Sequence, residues 1–264
     1  MTVEIECPKL KDQITGGILG LAVADALGVP VEFQNREPLR RNPVTDMRGY
    51  GTYNQPPGTW SDDTSLTLCL LDSLASGKID YADIMQKFIS WASKGEYTAL
   101  GNVFDIGIAT RKALQRFKEG TDPLQCGGTS EQDNGNGSLM RMLPIVFYLD
   151  ALFMNWHYDW AAPQGRGDSV WSCYIQNVSS LTHVHKRSQI ACGIYGLIAF
   201  YILKSSDDDT KSLKRARSDI QRMFIEKLFY ATRGYSVPLQ SYVRLENVTG
   251  TMPVASQSPS NGND

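Results

Sequence analysis

The 264-residue chain has no excess of charge of either sign: Lys and Arg number 26 against 28 Asp and Glu, a formal net charge of −2. A chain balanced in this way carries no electrostatic footprint for nucleic acid or for an anionic membrane surface. Cysteines are few and odd in number, with no close pair among Cys7, Cys69, Cys126, Cys173 and Cys192. That pattern excludes a disulfide framework and a zinc site, and the expectation is reduced thiols in a cytoplasmic protein. Long apolar runs are scarce as well. The longest, Ile194 to Leu203, contains Gly196 and falls short of the roughly 20 residues that span a bilayer. The N-terminal Met-Thr-Val-Glu-Ile-Glu-Cys-Pro has neither the basic region nor the apolar core of a signal peptide. No stretch alternates as a sheet strand does, and no internal repeat is visible.

What is present is a globular composition, 42% hydrophobic and 20% charged, with 23 glycines, enough to bury a sizeable core. The periodicity is helical nearly throughout. Ile14, Ile18, Leu21, Ala22 and Asp25 recur at helical spacing among small residues, which predicts a close-packed helix ending at Gly28. Asp62 or Asp63 caps a helix from Leu66 to Leu74. Asp80 caps another that carries Ile84, Phe88 and Trp91 on one face. Further helices are expected from Asp105 to Lys118, Val170 to Leu181, Ser188 to Leu203 and Thr210 to Ala231. The Ser/Pro/Gly/Asn-rich stretch 249–264 reads as a disordered tail behind one domain, 1–248.

Four local patterns could carry chemistry. In Thr59-Trp60-Ser61-Asp62-Asp63-Thr64-Ser65, a hydroxyl and two adjacent carboxylates open a helix. These hard oxygens suit Mg²⁺, Mn²⁺ or Ca²⁺, and they suit a plain N-cap equally. Glu32 lies in an apolar setting just after the first helix, a place for a general base or for an ordinary loop carboxylate. Asp133-Asn134-Gly135-Asn136-Gly137-Ser138 is a Gly/Asn loop running into a helix, either a phosphate cradle or a turn with its cap. His183 and His185 are too isolated for zinc, and a structural or ligand-stacking histidine is the better reading.

Together and in order, these patterns resemble a known family. Gly20-Leu-Ala-Val-Ala-Asp25-Ala-Leu-Gly28, Pro30-Val-Glu32, Trp60-Ser-Asp-Asp-Thr64, Phe104-Asp105-Ile-Gly107, Asn136-Gly-Ser-Leu-Met-Arg141 with Pro144, and Thr182-His183 are similar to the ADP-ribosylglycohydrolases over residues 11–203. The resemblance implies an all-α, compact orthogonal multi-helix bundle with long active-site loops. It implies two Mg²⁺, or Mn²⁺, with Ser61, Asp62 and Asp63 as ligands and Glu32 beside the scissile ribose. Asp105 would face the modified arginine. Asn136, Gly137, Ser138 and His183 would hold ADP-ribose. The implied reaction is removal of ADP-ribose from protein side chains, arginine favoured, by cleavage at ribose C1″; the implied partner is ADP-ribose on a modified protein, with no nucleic acid and no membrane.

The family also closes with a Gly-rich Asp-x-Asp-Thr element that supplies the rest of the metal cage. Here the textual match, Asp207-Asp208-Asp209-Thr210, runs into the basic Lys-Ser-Leu-Lys-Arg-Ala-Arg and reads as a solvated helix start, so the domain is expected to lack that segment. The rival expectations are therefore a weak or inactive ADP-ribose-binding relative, and a two-metal hydrolase of another phosphate-containing substrate.

Overall fold

The computed structural model of the chain describes residues 8–153 and 168–204 and, singly, 214 and 218. Eight α-helices occupy these residues: α1 Pro8–Gly28, α2 Arg36–Arg41, α3 Asp62–Leu74, α4 Tyr81–Lys94, α5 Ile108–Lys118, α6 Leu143–Phe153, α7 Asp168–Ser180 and α8 Lys186–Lys204. Among the described residues there is no strand; Gly128 and His183 form an isolated parallel bridge. The all-α expectation holds. The expected Thr210–Ala231 helix, Asp207–Thr210 and the tail 249–264 lie outside the described residues.

The bundle is built around α3, which packs against α1, α4 and α6, while α7 and α8 pair and close over α6. Leu66 and Leu70 of α3, Phe88 and Trp91 of α4, Ile145 and Leu149 of α6, and Ile175 of α7 form the buried centre. Each such side chain contributes about 1.5–3 kcal/mol on burial. The face of α4 is as its spacing predicts, with Ile84, Met85, Phe88 and Trp91 buried and the Asp80 carboxylate accepting from the Asp83 N–H.

The structure corrects several expectations. The cap of α3 is Ser61, not Asp62 or Asp63; its Oγ accepts from the Asp63 N–H at 3.3 Å. Helix α5 begins at Ile108, not Asp105, and Ile108 stands 74% exposed. The Gly/Asn loop does not feed a helix directly. It passes through one 3₁₀ turn, Leu139–Arg141, before α6 starts. On α1 the exposed apolar side chains are Leu19 and Val23, while Ile18 and Leu21 are half-buried. Ile18 packs near Phe147 and Leu203. Finally, the segment Lys11–Val31, with a mean hydropathy of 1.7, is by length and composition long enough to cross a membrane. Thr15, Asp25 and four glycines interrupt it, so it forms no continuous apolar run although its average is high.

Candidate active site

The site forms where α1 ends and α3 and α5 begin. Its first fixed point is Asp25, in the last turns of α1. One carboxylate oxygen accepts from the Ser61 Oγ (2.7 Å). The other accepts from the main-chain N–H groups of Ser61 and Thr64 (3.0 Å each) and from the Thr64 hydroxyl (2.6 Å). Asp25 thus ties α1 to the N-terminus of α3, where the helix dipole favours a negative charge. It also commits the Ser61 hydroxyl hydrogen, so the remaining lone pairs of that oxygen face the Asp63 N–H and the cleft. Trp60 braces the same corner by donating its indole N–H to the Tyr97 carbonyl at 3.1 Å. The sequence shows Asp25 only as one more position on a helix face. A carboxylate among alanines and a glycine, one turn from the helix end, was the available signal.

Asp25→Ala should strand two N–H and two O–H donors in a half-buried place. Hydrogen bonds to a charged acceptor are worth about 1.5–3 kcal/mol each, so we expect a loss of about 3 kcal/mol or more, with Asp25→Asn intermediate. Chemical denaturation of the two variants measures this, and unchanged midpoints would contradict it.

The second fixed point is the turn carrying Glu32. The chain leaves α1 through a 3₁₀ turn, Val29–Val31, with Val29 and Pro30 buried. The loop then returns so that the Thr52 N–H donates to the Pro30 carbonyl at 3.1 Å and the Thr52 hydroxyl to the Glu32 carbonyl at 2.6 Å. Gly51 makes this approach possible, since a Cβ there would run into the Pro30 carbonyl. The next residue, Phe33, is 83% exposed at φ 60°, a left-handed conformation that an aromatic residue rarely adopts.

Around these points lies a cavity of about 650 Å³. Asp25, Glu32, Ser61, Asp62, Asp63 and Asp105 line one part of it; Thr110, Gly135, Asn136, Gly137 and His183 line another. The structure therefore brings together eight of the nine residues singled out from the sequence. The exception is Ser138. Its side chain is fully buried beneath the loop, 3.4 Å from the Cys192 Sγ and 3.0 Å from the Ser179 hydroxyl oxygen.

Among the described residues, five carboxylates line the cavity and no lysine or arginine does. The electrostatic consequence is large. Burial, then Asp105, Asp63 and Asp25, push the Asp62 carboxyl up to about 8. Burial, then Asp25, Glu32 and Asp105, push Asp63 up to about 7. Burial and Asp105 also raise Glu32, against an opposing contribution from the Tyr53 hydroxyl. Tyr53, absent from the sequence reading, packs its ring on Phe104 at 5.1 Å. Its buried hydroxyl, which makes no hydrogen bond of regular geometry, is raised by burial and by both Asp105 and Glu32.

The donor chemistry fits a divalent cation. Hard oxygens converge, no lysine or arginine among the described lining residues offsets their mutual repulsion, and a 2+ charge would relieve it. Among the described residues, however, no three His, Cys, Asp or Glu side chains close into one cage.

A pH dependence follows for the metal-free chain. Asp62 and Asp63 have folded values raised above the ordinary 3.8. The folded state then binds more protons than the unfolded state, so this contribution is complete below 3.8 and is lost as pH rises through about 7 and 8. His183, lowered from 6.5 to about 4, acts in the opposite sense and only below 6.5. The melting temperature in EDTA should therefore fall between pH 6.5 and 8 and recover with Mg²⁺ or Mn²⁺. A flat or rising curve would show that the cluster ionises without penalty.

The chain belongs to the ADP-ribosylglycohydrolase family, whose model matches residues 6–258. It is 32% identical over 197 residues to "ADP-ribosylarginine hydrolase Tri1" of Serratia proteamaculans (strain 568), covering 74% of this chain and 48% of that protein. The protein of the same name from Pseudomonas putida (strain GB-1) is 33% identical over 209 residues, 78% of this chain and 51% of the relative. "ADP-ribosyl-[dinitrogen reductase] glycohydrolase" of Rhodospirillum rubrum is 29% identical over 244 residues, 89% and 71%. A solved structure described as "ADP-ribosylglycohydrolase-related protein complex" superposes with a TM-score of 0.51 at 30% identity, over 75% of this chain and 57% of that one. The chain thus spans about half the length of the two arginine hydrolases.

Proposed function

We propose that this chain is a divalent-cation-dependent hydrolase that removes ADP-ribose from modified protein side chains, arginine favoured, by cleaving the bond at ribose C1″. The observation that carries the reading is the cavity itself, large enough for a nucleotide-sized ligand and lined, among the described residues, by five carboxylates and no cationic side chain. The names of the Serratia and Pseudomonas relatives support the arginine preference. Ser61, Asp62 and Asp63 would hold the cation, Mg²⁺ or Mn²⁺, with two ions expected from the family resemblance. When bound, the cation supplies Lewis-acid polarisation of the ribose hydroxyls.

The chain's own residues supply the rest. Glu32, raised above the ordinary carboxylate value by burial and Asp105, is suited to accept a proton from the attacking water. Asp105 is placed to pair with the guanidinium that leaves. Asn136 and Gly137 approach the ligand with side-chain amide and main chain. Ser138, its hydroxyl turned inward, serves through its backbone and by supporting the loop. Asp25 orients Ser61.

One observation favours a second reading, a binding relative without turnover: no three-residue metal cage forms among the described residues. The two separate cleanly. Arginine-linked and serine-linked ADP-ribosyl proteins are incubated with the chain and Mn²⁺, and free ADP-ribose is followed by chromatography. Release from the arginine conjugate, faster than from the serine conjugate, is expected. ADP-ribose binding by calorimetry with no release from either would favour the binder.

A further inference from the structure

A fully buried guanidinium lies beneath the Asn136–Gly137 side of the cavity. Arg141 is 0% exposed, and among the described residues no carboxylate pairs with it. It lies over the Phe88 ring at 4.9 Å, donates through Nη1 to the Val178 carbonyl at 3.2 Å, and donates through Nη2 to the Thr182 Oγ1 at 2.6 Å. That same Oγ1 is 2.8 Å from the Nδ1 of His183.

The direction of these two bonds follows from valence. A guanidinium only donates, so Thr182 Oγ1 accepts from Arg141 and keeps its own hydrogen to give. Thr182 is wholly buried, so its hydrogen needs an acceptor, and His183 Nδ1 is the neighbour in range. Nδ1 therefore accepts and is unprotonated. The ring proton sits on Nε2, since a buried imidazolium beside an unpaired guanidinium is disfavoured; burial and Arg141 lower His183, with Asp133 opposing weakly. The backbone fixes the ring's position. The His183 N–H donates to the Ser179 carbonyl at 2.8 Å, its carbonyl accepts from the Ser179 hydroxyl at 3.0 Å, and it bridges to Gly128. The Nε2 edge faces the glycines of the cavity: a Cβ at Gly137 would lie 3.4 Å from Nε2, and one at Gly135 3.6 Å.

We propose that Arg141, acting through Thr182, is a positioning residue that locks His183 in the neutral Nε2–H tautomer and so presents a fixed hydrogen-bond donor to an acceptor oxygen of the bound ligand. For an ADP-ribosyl ligand, and so resting on the function proposed above, that oxygen belongs to a phosphate or a ribose hydroxyl. His183 is then a neutral donor and takes no part as acid or base. Lysine at 141 could not serve both Val178 and Thr182 with a rigid fork.

The test is ¹H–¹⁵N NMR of the imidazole rings in the full chain, which has only three histidines. In the unmodified chain His183 should show a bare Nδ1 and a protonated Nε2, unchanged through the ordinary histidine titration range. Thr182→Val removes the relay while keeping the shape. It should release the tautomer and weaken ADP-ribose binding by about tenfold, the worth of one hydrogen bond, and Thr182→Ser should restore both. A protonated Nδ1 in the unmodified chain overturns the proposal whether or not any variant folds. So does a Thr182→Val protein with tautomer and affinity both unchanged. If Nε2–H is found but ADP-ribose does not bind the unmodified chain, the relay stands and the functional reading falls.

Discussion

Asp62→Ala is expected to lower Mn²⁺ affinity by at least about 10²-fold, beyond the 10–100-fold typical of changes outside the ligand shell. Asp62 is 8% exposed and surrounded by Asp63, Asp105 and Asp25, which with burial hold its carboxyl at about 8. Its charged form is favourable at neutral pH only beside a cation; without one the carboxyl holds a proton until pH passes about 8. Without metal, the substitution removes a buried carboxyl whose ionisation its neighbours oppose. Because Ser61 caps α3 and Asp62 does not, the helix keeps its cap. Loss of one acid from the first turn costs about 0.3–1 kcal/mol, against relief of the repulsion. The fold should therefore hold, or even gain stability in EDTA, while cation binding is lost. Calorimetric titration with Mn²⁺ and thermal melts in chelator measure the two halves. Unchanged binding would remove Asp62 from the cation site.

Glu32→Gln should keep ADP-ribose binding and cut hydrolysis by at least about 10²-fold, the low end for a lost general base. The turn bearing residue 32 is held by main-chain contacts, from Thr52 to the Pro30 and Glu32 carbonyls, so glutamine should occupy the same place. The loss should appear in kcat with little change in KM. The limb of the pH–rate profile that reports the base should go with it. A variant as active as the unmodified chain would make Glu32 a bystander and leave Asp105 to account for proton transfer.

Much of this site was legible because its chemistry is local. Ser61-Asp62-Asp63, Glu32, Asp105 and Asn136-Gly137 are short motifs whose residue types advertise hard oxygens and backbone access, and the structure gathers them into one cavity. The supporting residues were not legible because their meaning depends on distant partners. Asp25 reads as a polar interruption on a helix until α3 arrives to give it four donors. Tyr53 sits in a long loop with no periodic signal, and its relation to Glu32 and Asp105 comes from the loop's return over Gly51. Arg141 reads as an ordinary polar end to a motif; its complete burial follows from α4 and α7 closing over it. Ser138 misled for the opposite reason. A serine in a Gly/Asn loop suggests a ligand contact, but the 3₁₀ turn at Leu139–Arg141 rotates it inward onto Cys192. Helix α6, with Leu143 to Leu152 nearly all apolar, shows little amphipathic period because it is buried nearly all round, the case in which periodicity says least.

On the function proposed above, the five-carboxylate cavity works on ADP-ribose only when a divalent cation neutralises it. The most direct measurement is the loss of ADP-ribose from an arginine-modified protein in three parallel time courses: Mn²⁺, Mg²⁺ and EDTA. Release of free ADP-ribose with either cation, abolished by EDTA and restored by adding the metal back, is the predicted result. Equal release in EDTA, or none in any of the three, would contradict it.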